Sequence, residues 1–429
     1  MRILLSTENF DAFAGMETYS LAVARELMRL GHQVWIYTQL DGGIARHARE
    51  HGMRVVSQRD LPADVDAIFA QDAATCHEMA ARYPQVARVF VVHSRDHVLN
   101  EVPQLPGVCD AVVVMNDRIG KWAHARAWHA PITRLRQPIE ISRFRDLPAP
   151  RPRPRRALVT SNYVDGPRGR LLNEACRRAG YGVDWIGTTS RPSAFPEHAI
   201  AAADIVIGLG RSALEAMAAG RAVYVYGILG AGGWVTTRSY GQLEADGFAG
   251  LTDARPGTVE RLAADLRRWQ PDMGEANRDL ACINHSVRTH AIELVGLVRR
   301  ARGERGGSDE QYGGPSVPLP AEELARLLRI EWQLNAQNTR TKLEAGFLRR
   351  ERDAYKTDAQ DAAARVAQLD RQLRKAHQRV ATLDEHLLDA RARVEDLEPT
   401  AHELQRRAHR LTRRLLATLD ALRARLARR

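Results

Sequence analysis

The stretch AAADIVIGLGRSALEAMAAGRAVYVYG, residues 201–227, carries the strongest fold signal in the chain. The segment Asp204–Ile207, which is apolar after its first residue, predicts a buried strand; a glycine turn follows at Gly208–Gly210, and a short helix is predicted over Ser212–Gly220. A second apolar run, Ala222–Tyr226, returns at once as a strand. A strand, a helix and a strand in immediate succession are typical of a parallel, helix-covered sheet.

The glycine turn has the chemistry of a phosphate site. Gly208 and Gly210 let a ligand approach the backbone, and the free N–H groups at the helix start carry a partial positive charge. Arg211 can add a charged fork to the same phosphate, and Glu215 can accept hydrogen bonds from a ribose diol. The alternative is structural, since Ser212-x-x-Glu215 also has the spacing of a capping box and such glycines can serve packing alone.

The alternation of strands and helices extends over the first 300 residues or so. The proline-rich segment 146–156 interrupts it, because alternating prolines fit neither a helix nor a central strand. We therefore predict an α/β protein with two Rossmann-like, doubly wound domains, 1–147 and 155–302, joined by an extended linker. Further expected strands are Arg2–Ser6, Val34–Thr38, Ala67–Ala70, Val89–Val92, Ala111–Met115, Ala157–Thr160 and Val183–Ile186, and further expected helices are Met16–Leu30, Arg170–Ala179 and Glu275–Arg302.

Three segments, in this order, resemble the GT-B glycosyltransferases, in particular the large retaining, family-four-like group. AGMETYSLAVARELMRLGHQV (14–34) is similar to that group's first-domain motif, RLRQPIEISRFRD (134–146) to the stretch before its linker, and LEAMAAGRAV (214–223) to its second-domain signature. The resemblance implies two domains facing across a cleft. It also implies metal-independent transfer of a sugar from a nucleotide-diphosphate donor to a hydroxyl acceptor, with retention, in cell-surface polysaccharide or glycolipid synthesis.

The resemblance also implies roles for individual residues. Gly15 would face the donor from the start of the first helix, and His93, at the end of VFVVH, would lie near the transferred sugar. Glu17 and His93 are the implied catalytic residues, and Glu215 would hold the ribose. The plain alternatives are a loop glycine and a partly buried histidine at a strand end. The other implied donor-binding residues are Arg168, Gly208, Gly210, Arg211, Ser212 and, in a loop beside the cleft, Gly232 and Gly233.

Two positions depart from the family pattern. Ile207 stands where the family has another acid, eight residues before Glu215. The segment SNYVDGPRGR has no lysine for the diphosphate, although Arg168, Arg170 or Arg211 can substitute. Two alternatives therefore stand beside an active transferase. One is a catalytically silent GT-B scaffold, which Ile207 favours, and the other is a GT-B sugar-nucleotide epimerase.

Composition excludes several other classes of protein. The four cysteines form no CxxC pair, and no His/Cys/Asp cluster has metal-ligand spacing. We therefore expect no disulfide framework, no metal site and no cofactor besides the nucleotide-sugar substrate. Because the chain has neither a long apolar run nor a signal-peptide pattern, we expect a cytoplasmic protein, in peripheral contact with the inner face of the membrane at most.

The C-terminal quarter differs in character from the rest. Residues 303–320 are rich in Gly, Ser and Pro and predict a flexible linker, and residues 321–429 predict a helical coiled coil with a break near Pro399. Its partner is another copy or another protein. One apolar seam, spaced every seven residues, falls on Val366, Leu373, Val380, Leu387 and Val394, and the other on Leu369, Ala376, Leu383, Ala390 and Leu397.

Most of the basic charge lies at the end of the chain. Residues 404–429 hold nine arginines and one acid, Asp420, so this segment supplies most of the net charge of +11 and the rest is close to neutral. The segment fits either a coiled-coil strand with a solvated arginine face or a basic helix lying on an anionic membrane. Nucleic-acid binding is not expected, because no aromatic residues interleave with the arginines for base stacking.

Overall fold

The computed structural model describes residues 1–95, 97–126, 130–161, 164, 166–187, 196–227, 230–250, 258–307, 323–335, 388, 403 and 405–417. The chain divides into two compact units, Met1–Arg340 and Thr341–Arg429. Both predicted α/β domains lie in the first unit. Within the described residues, none of the helices is both long enough and apolar enough to cross a membrane.

The first domain is built on seven parallel strands in the order β3-β2-β1-β4-β5-β6-β7. Its central strands are buried on both faces and apolar except for Arg88, as expected where helices cover both sides of a sheet. The strands are β1 (Arg2–Phe10), β2 (Gln33–Asp41), β3 (Arg54–Val56), β4 (Ala67–Ala70), β5 (Arg88–Val92), β6 (Ala111–Val114) and β7 (Ile132–Arg134). The helices are α1 (Gly15–Arg29), α2 (Gly43–Glu50), α3 (Ala73–Arg82) and α4 (Asp117–His124).

The second domain has five strands in the order β12-β11-β10-β8-β9, parallel except for the edge strand β12. The two sheets confirm the predicted pair of doubly wound α/β domains. The strands are β8 (Arg156–Thr160), β9 (Gly182–Ile186), β10 (Ile205–Gly208), β11 (Ala222–Gly227) and β12 (Gly230–Trp234). The helices are α5 (Gly166–Ala179), α6 (Pro196–Ala202), α7 (Gly210–Ala218), α8 (Tyr240–Ala245), α9 (Val259–Leu266) and α10 (Met273–Asn284).

The last helix of this part of the chain returns to the first domain. The segment expected as one helix is two, α10 and α11 (Val287–Gly307). Ala291, Leu294 and Val298 on α11 belong to the same buried cluster as Val23 and Leu27 on α1. The predicted second domain, 155–302, thus includes residues that pack with the first domain. Helix α11 completes the core of the first domain, and it runs five residues into the segment expected as a flexible linker.

A further helix, residues 323–335, also packs on the first domain. Ala325 is buried, and Leu328 packs against a cluster that includes Ala70 and Phe90. On the same helix, Arg329 donates hydrogen bonds to the carboxylates of Glu8 (2.7 Å) and Glu78. The beginning of the predicted coiled-coil segment is thus part of the first compact unit.

Most of the predicted coiled coil lies outside the described residues, including every seam residue from Val366 to Leu397. Residues 405–417 are helical, and Leu411 and Leu415 are exposed on that helix. The coiled coil therefore remains a prediction.

Candidate functional site

A single residue separates β10 from α7. Leu209 is the extended N-cap residue, and the helix begins at Gly210, with φ of +56°, two residues before the predicted start at Ser212. A Cβ atom on Gly208 would lie 2.2 Å from Oγ1 of Thr160 on the neighbouring strand. Glycine is therefore required where β8 and β10 approach each other at this edge.

The capping box does not form. Ser212 lies inside the first turn, and its hydroxyl donates to the Leu209 carbonyl at 2.9 Å. Glu215 instead accepts a hydrogen bond from Nε of Arg211 at 3.0 Å. The N–H of Gly210 donates to the Phe248 carbonyl, whereas those of Arg211 and Ser212 donate to no described residue. Two N–H groups at the positive end of α7 therefore remain for a ligand.

Arg211 faces the first domain. Its Nη1 donates to the carbonyl of Pro138, in the segment that joins the two domains, at 3.2 Å. The side chains of Arg211 and Glu215 are only 11% and 9% exposed, so their pair is fixed before any ligand arrives. The carboxyl edge of the second sheet thus presents an oriented guanidinium toward the other sheet.

His93 occupies the facing edge, one residue after β5. Its Nε2 lies 2.8 Å from Oε1 of Gln71, and its ring meets the ring of Tyr19 edge-on at 4.8 Å. Burial, together with the nearby His290 and Arg211, lowers the pKa of His93 to about 3. His93 is therefore neutral at physiological pH and lies within electrostatic range of Arg211.

Glu17 lies in the first turn of α1 and is 6% exposed. Burial raises the pKa of Glu17 to about 7, and the charge of Asp11 acts in the same direction. No described hydrogen bond or ion pair joins Glu17 to His93 or Arg211. Gly15 begins the same helix, is exposed, and has no atom within 4 Å of where its Cβ would be.

Three more residues predicted to contact the donor lie in the second domain. Arg168 is exposed in the first turn of α5, where its charge acts on the hydroxyl of Tyr226. Gly232 and Gly233 lie in strand β12, so the predicted loop is wrong. The strand forms because the segment pairs antiparallel with β11, and a Cβ on Gly232 would lie 3.0 Å from Val225. Contact of these two glycines with a donor stays a prediction.

Ile207 is built into the sheet. It is 1% exposed in β10, between Val159 of β8 and Tyr224 of β11. Because the strand continues through Gly208 and the turn is so short, this position has no access to a ligand. The position of the second acid in the family pattern is therefore taken by a buried apolar residue in this chain.

Several residues at the two edges were not found by sequence reasoning. Gln71 follows the apolar run of β4 directly, and a polar residue at that place is a signal that could have been used. Tyr19, His290 and Pro138 gave no comparable signal, since they reach the site from α1, α11 and the interdomain segment.

Comparisons with known proteins give structural neighbours only. No protein-family profile matches the sequence, and no curated protein sequence matches it. Among solved structures, the pneumococcal O-GlcNAc transferase GtfA with UDP and GlcNAc is 9% identical, with a TM-score of 0.46 over 70% of this chain and 99% of that one. Anabaena HepE with UDP and glucose is 14% identical, with a TM-score of 0.45 over 70% and 99%. Spinosyn forosaminyltransferase SpnP is 14% identical, with a TM-score of 0.43 over the same shares. Because these TM-scores lie below 0.5, the function is inferred from the geometry of the site.

Proposed function

We propose that this chain is a glycosyltransferase of GT-B architecture, which moves a sugar from a nucleotide-diphosphate donor to a hydroxyl acceptor. The observation that carries the proposal is the Arg211–Glu215 pair at the start of α7, facing neutral His93 on the other sheet edge. A cationic fork, two available backbone N–H groups and a buried carboxylate suit a ribose and a diphosphate.

In this proposal Arg211 and the start of α7 bind the diphosphate. As the bond to the sugar breaks, negative charge grows on the leaving phosphate, and a guanidinium already held by Glu215 and Pro138 stabilises it without rearrangement. The second oxygen of Glu215 would accept the ribose hydroxyls. His93 and Glu17 would contact the sugar and the acceptor from the first domain.

The finer features of the reaction follow the family resemblance. Since Arg211 and the helix start supply positive charge, we propose transfer that does not depend on a metal ion, with retention at the anomeric carbon, to a glycan or lipid-linked acceptor. Undiminished turnover in EDTA and a product of the donor's anomeric configuration by NMR are the expected results. A metal requirement or an inverted product would refute the respective feature.

Turnover of a donor panel tests the function. Release of nucleoside diphosphate from UDP- and GDP-sugars is expected with the wild type, and Arg211→Ala should lower kcat/KM by at least about 100-fold. Arg177→Ala is the matched control, because it removes an exposed Arg–Glu helix pair at the far end of α5. Equal turnover by Arg211→Ala and the control would refute the assignment.

A catalytically silent scaffold is the second candidate, favoured by the burial of Ile207 in β10. Such a protein would bind the nucleotide sugar and release no product with any acceptor or with water. Nucleotide-sugar binding without turnover is its expected signature. A changed sugar still attached to its nucleotide would indicate an epimerase.

We also propose that the C-terminal segment brings the enzyme to a partner or a membrane surface. The helix at 405–417 exposes an arginine-rich surface that includes Arg406, Arg410 and Arg413. Co-sedimentation of the full chain with phosphatidylglycerol-containing vesicles, but not with pure phosphatidylcholine vesicles, is expected. Equal sedimentation with both would refute the membrane contact.

A further inference from the structure

Gln71 and His93 meet because their strands are neighbours. β4 and β5 pair in parallel, with Ala70 opposite Phe90, so the residues that follow both strands emerge at the same sheet edge. Gln71 is fully buried there, and its Oε1 lies 2.8 Å from Nε2 of His93.

A second contact fixes the orientation of the Gln71 amide. Its Nε2 lies 3.0 Å from the backbone carbonyl of Phe69. A carbonyl oxygen can only accept, so the NH₂ group must point toward Phe69 and the amide oxygen toward His93. The amide oxygen also only accepts, and the proton between Gln71 and His93 must therefore reside on Nε2 of His93.

The other nitrogen of the ring is then an acceptor. A neutral imidazole carries one proton, and with Nε2 protonated, Nδ1 holds a free lone pair. The backbone N–H of His93 is bound to Asn100, but Nδ1 bonds to no described residue. His93 is partly exposed at the sheet edge, and the charge of Arg211 acts on it.

The surroundings keep the ring neutral. Tyr19 from α1 contacts it edge-on, while His290 from α11 and Arg211 from α7 are the titratable or charged groups that act on it. None of these is a carboxylate, and two of them oppose a positive charge. Burial is the largest cause that holds the pKa of His93 far below its usual value, and His290 and Arg211 add to it.

We propose that Gln71 is a positioning residue that holds His93 as the neutral Nε2–H tautomer, so that Nδ1 accepts a hydrogen bond from a carbohydrate hydroxyl in the cleft. The hydroxyl belongs to the donor sugar or to the acceptor. The identity of the ligand rests on the proposed function, whereas the tautomer does not.

NMR of the wild-type chain labelled with ¹⁵N-histidine tests the tautomer directly, with His93→Asn to assign the signal. The expected spectrum has an unprotonated Nδ1 and a protonated Nε2, unchanged between about pH 5 and 8. A protonated Nδ1, or a ring that titrates in this interval, would overturn the proposal. This result is independent of any enzymatic activity.

Variants of Gln71 then test positioning. Gln71→Leu should lower kcat by at least about tenfold with the KM for donor little changed, because a hydrogen bond made in the transition state is lost. Gln71→Glu should raise the pKa of His93 and add a new limb to the pH–rate profile. Gln104→Leu is the matched control, since the Gln104 amide likewise donates to the carbonyl two residues earlier but is exposed.

Donor hydrolysis and sugar transfer, measured separately, distinguish the two possible sources of the hydroxyl. If it belongs to the donor sugar, Gln71→Leu slows both donor hydrolysis and transfer; if it belongs to the acceptor, only transfer is slowed. Wild-type kinetics in Gln71→Leu would refute the positioning role. Absence of turnover by the wild-type chain itself, with the expected NMR spectrum, would instead refute the proposed function and leave the tautomer intact.

Discussion

The carboxyl edges of the two sheets are stabilised in different ways. At the first edge, side chains are held by buried partners: Gln71 fixes His93, and Asp72 caps α3 by accepting from Thr75. At the second edge, the backbone itself forms the proposed site, since a one-residue turn at Leu209 leads into the positive end of α7. The first edge therefore contains buried ionisable groups with shifted pKa values, whereas the conformation of the second edge depends on close backbone packing.

This difference predicts which substitutions destabilise each edge. Removing a partner at the first edge leaves a polar or charged group buried without compensation. At the second edge, adding a single carbon atom is enough to displace the turn. The three following substitutions test this contrast.

The largest effect on stability is expected at the first edge, from Arg329→Ala. The substitution leaves Glu8 and Glu78, which are both almost fully buried, without their cation. We expect the free energy of unfolding in urea to fall by about 3–5 kcal/mol. Arg326→Ala is the control on the same helix, because Arg326 is 73% exposed and its ion pair with Glu323 is long, at 3.9 Å. Equal effects of the two substitutions would contradict the anchoring role of Arg329.

Glu17→Gln should stabilise the protein in a pH-dependent way. Glu17 ionises near 4.5 when unfolded and near 7 when buried, so the unfolded chain loses its proton first as the pH rises. Stability from this group is therefore greatest below pH 4.5 and is reduced by up to about 3 kcal/mol above pH 7. Glu17→Gln should remove that loss at pH 8 and change little at pH 4.

The control for Glu17 has the opposite sign. The side-chain hydrogen bonds from Arg177 and Arg178 lower the pKa of Glu174 to about 2, so Glu174→Gln should not stabilise the protein at pH 8. A Glu17→Gln variant whose urea midpoint at pH 8 equals that of the wild type would show that burial does not raise the pKa of Glu17.

A smaller effect should separate two glycines, one at each edge. Gly208→Ala brings a methyl group to 2.2 Å from Thr160, and we expect a loss of about 1–3 kcal/mol in the free energy of unfolding. Gly15→Ala meets no atom within 4 Å and should change stability by less than about 1 kcal/mol. Thermal denaturation of both variants measures the two losses of stability, and equal losses would contradict the contrast between the edges.

Local patterns were enough to predict the framework. Strand β4 was predicted at Ala67–Ala70, its observed bounds, and Gly31 and Gly220 have the positive φ that glycine commonly adopts just after a helix. These features depend on apolar runs and on glycine conformation, which are properties of neighbouring residues.

Features that depend on distant residues could not be predicted. Arg329 pairs with Glu8 from 321 positions away, and α11 joins the core beside α1 rather than the domain that precedes it. The start of α7 at Gly210 and the strand at Gly232 were missed because pairing with β8 and β11 decided them. Tertiary contacts thus overrode local turn signals at these places.

Calorimetry of nucleoside diphosphates tests the central claim most directly, namely that the turn between β10 and α7 binds a nucleotide diphosphate. UDP, GDP, ADP and dTDP would be titrated into the wild-type chain, Arg211→Ala and the control Arg177→Ala. We predict that one nucleotide binds the wild type and the control equally, and that Arg211→Ala weakens its binding by at least about 30-fold (~2 kcal/mol). Binding of none of the four to the wild type, or equal binding by Arg211→Ala, would contradict the account.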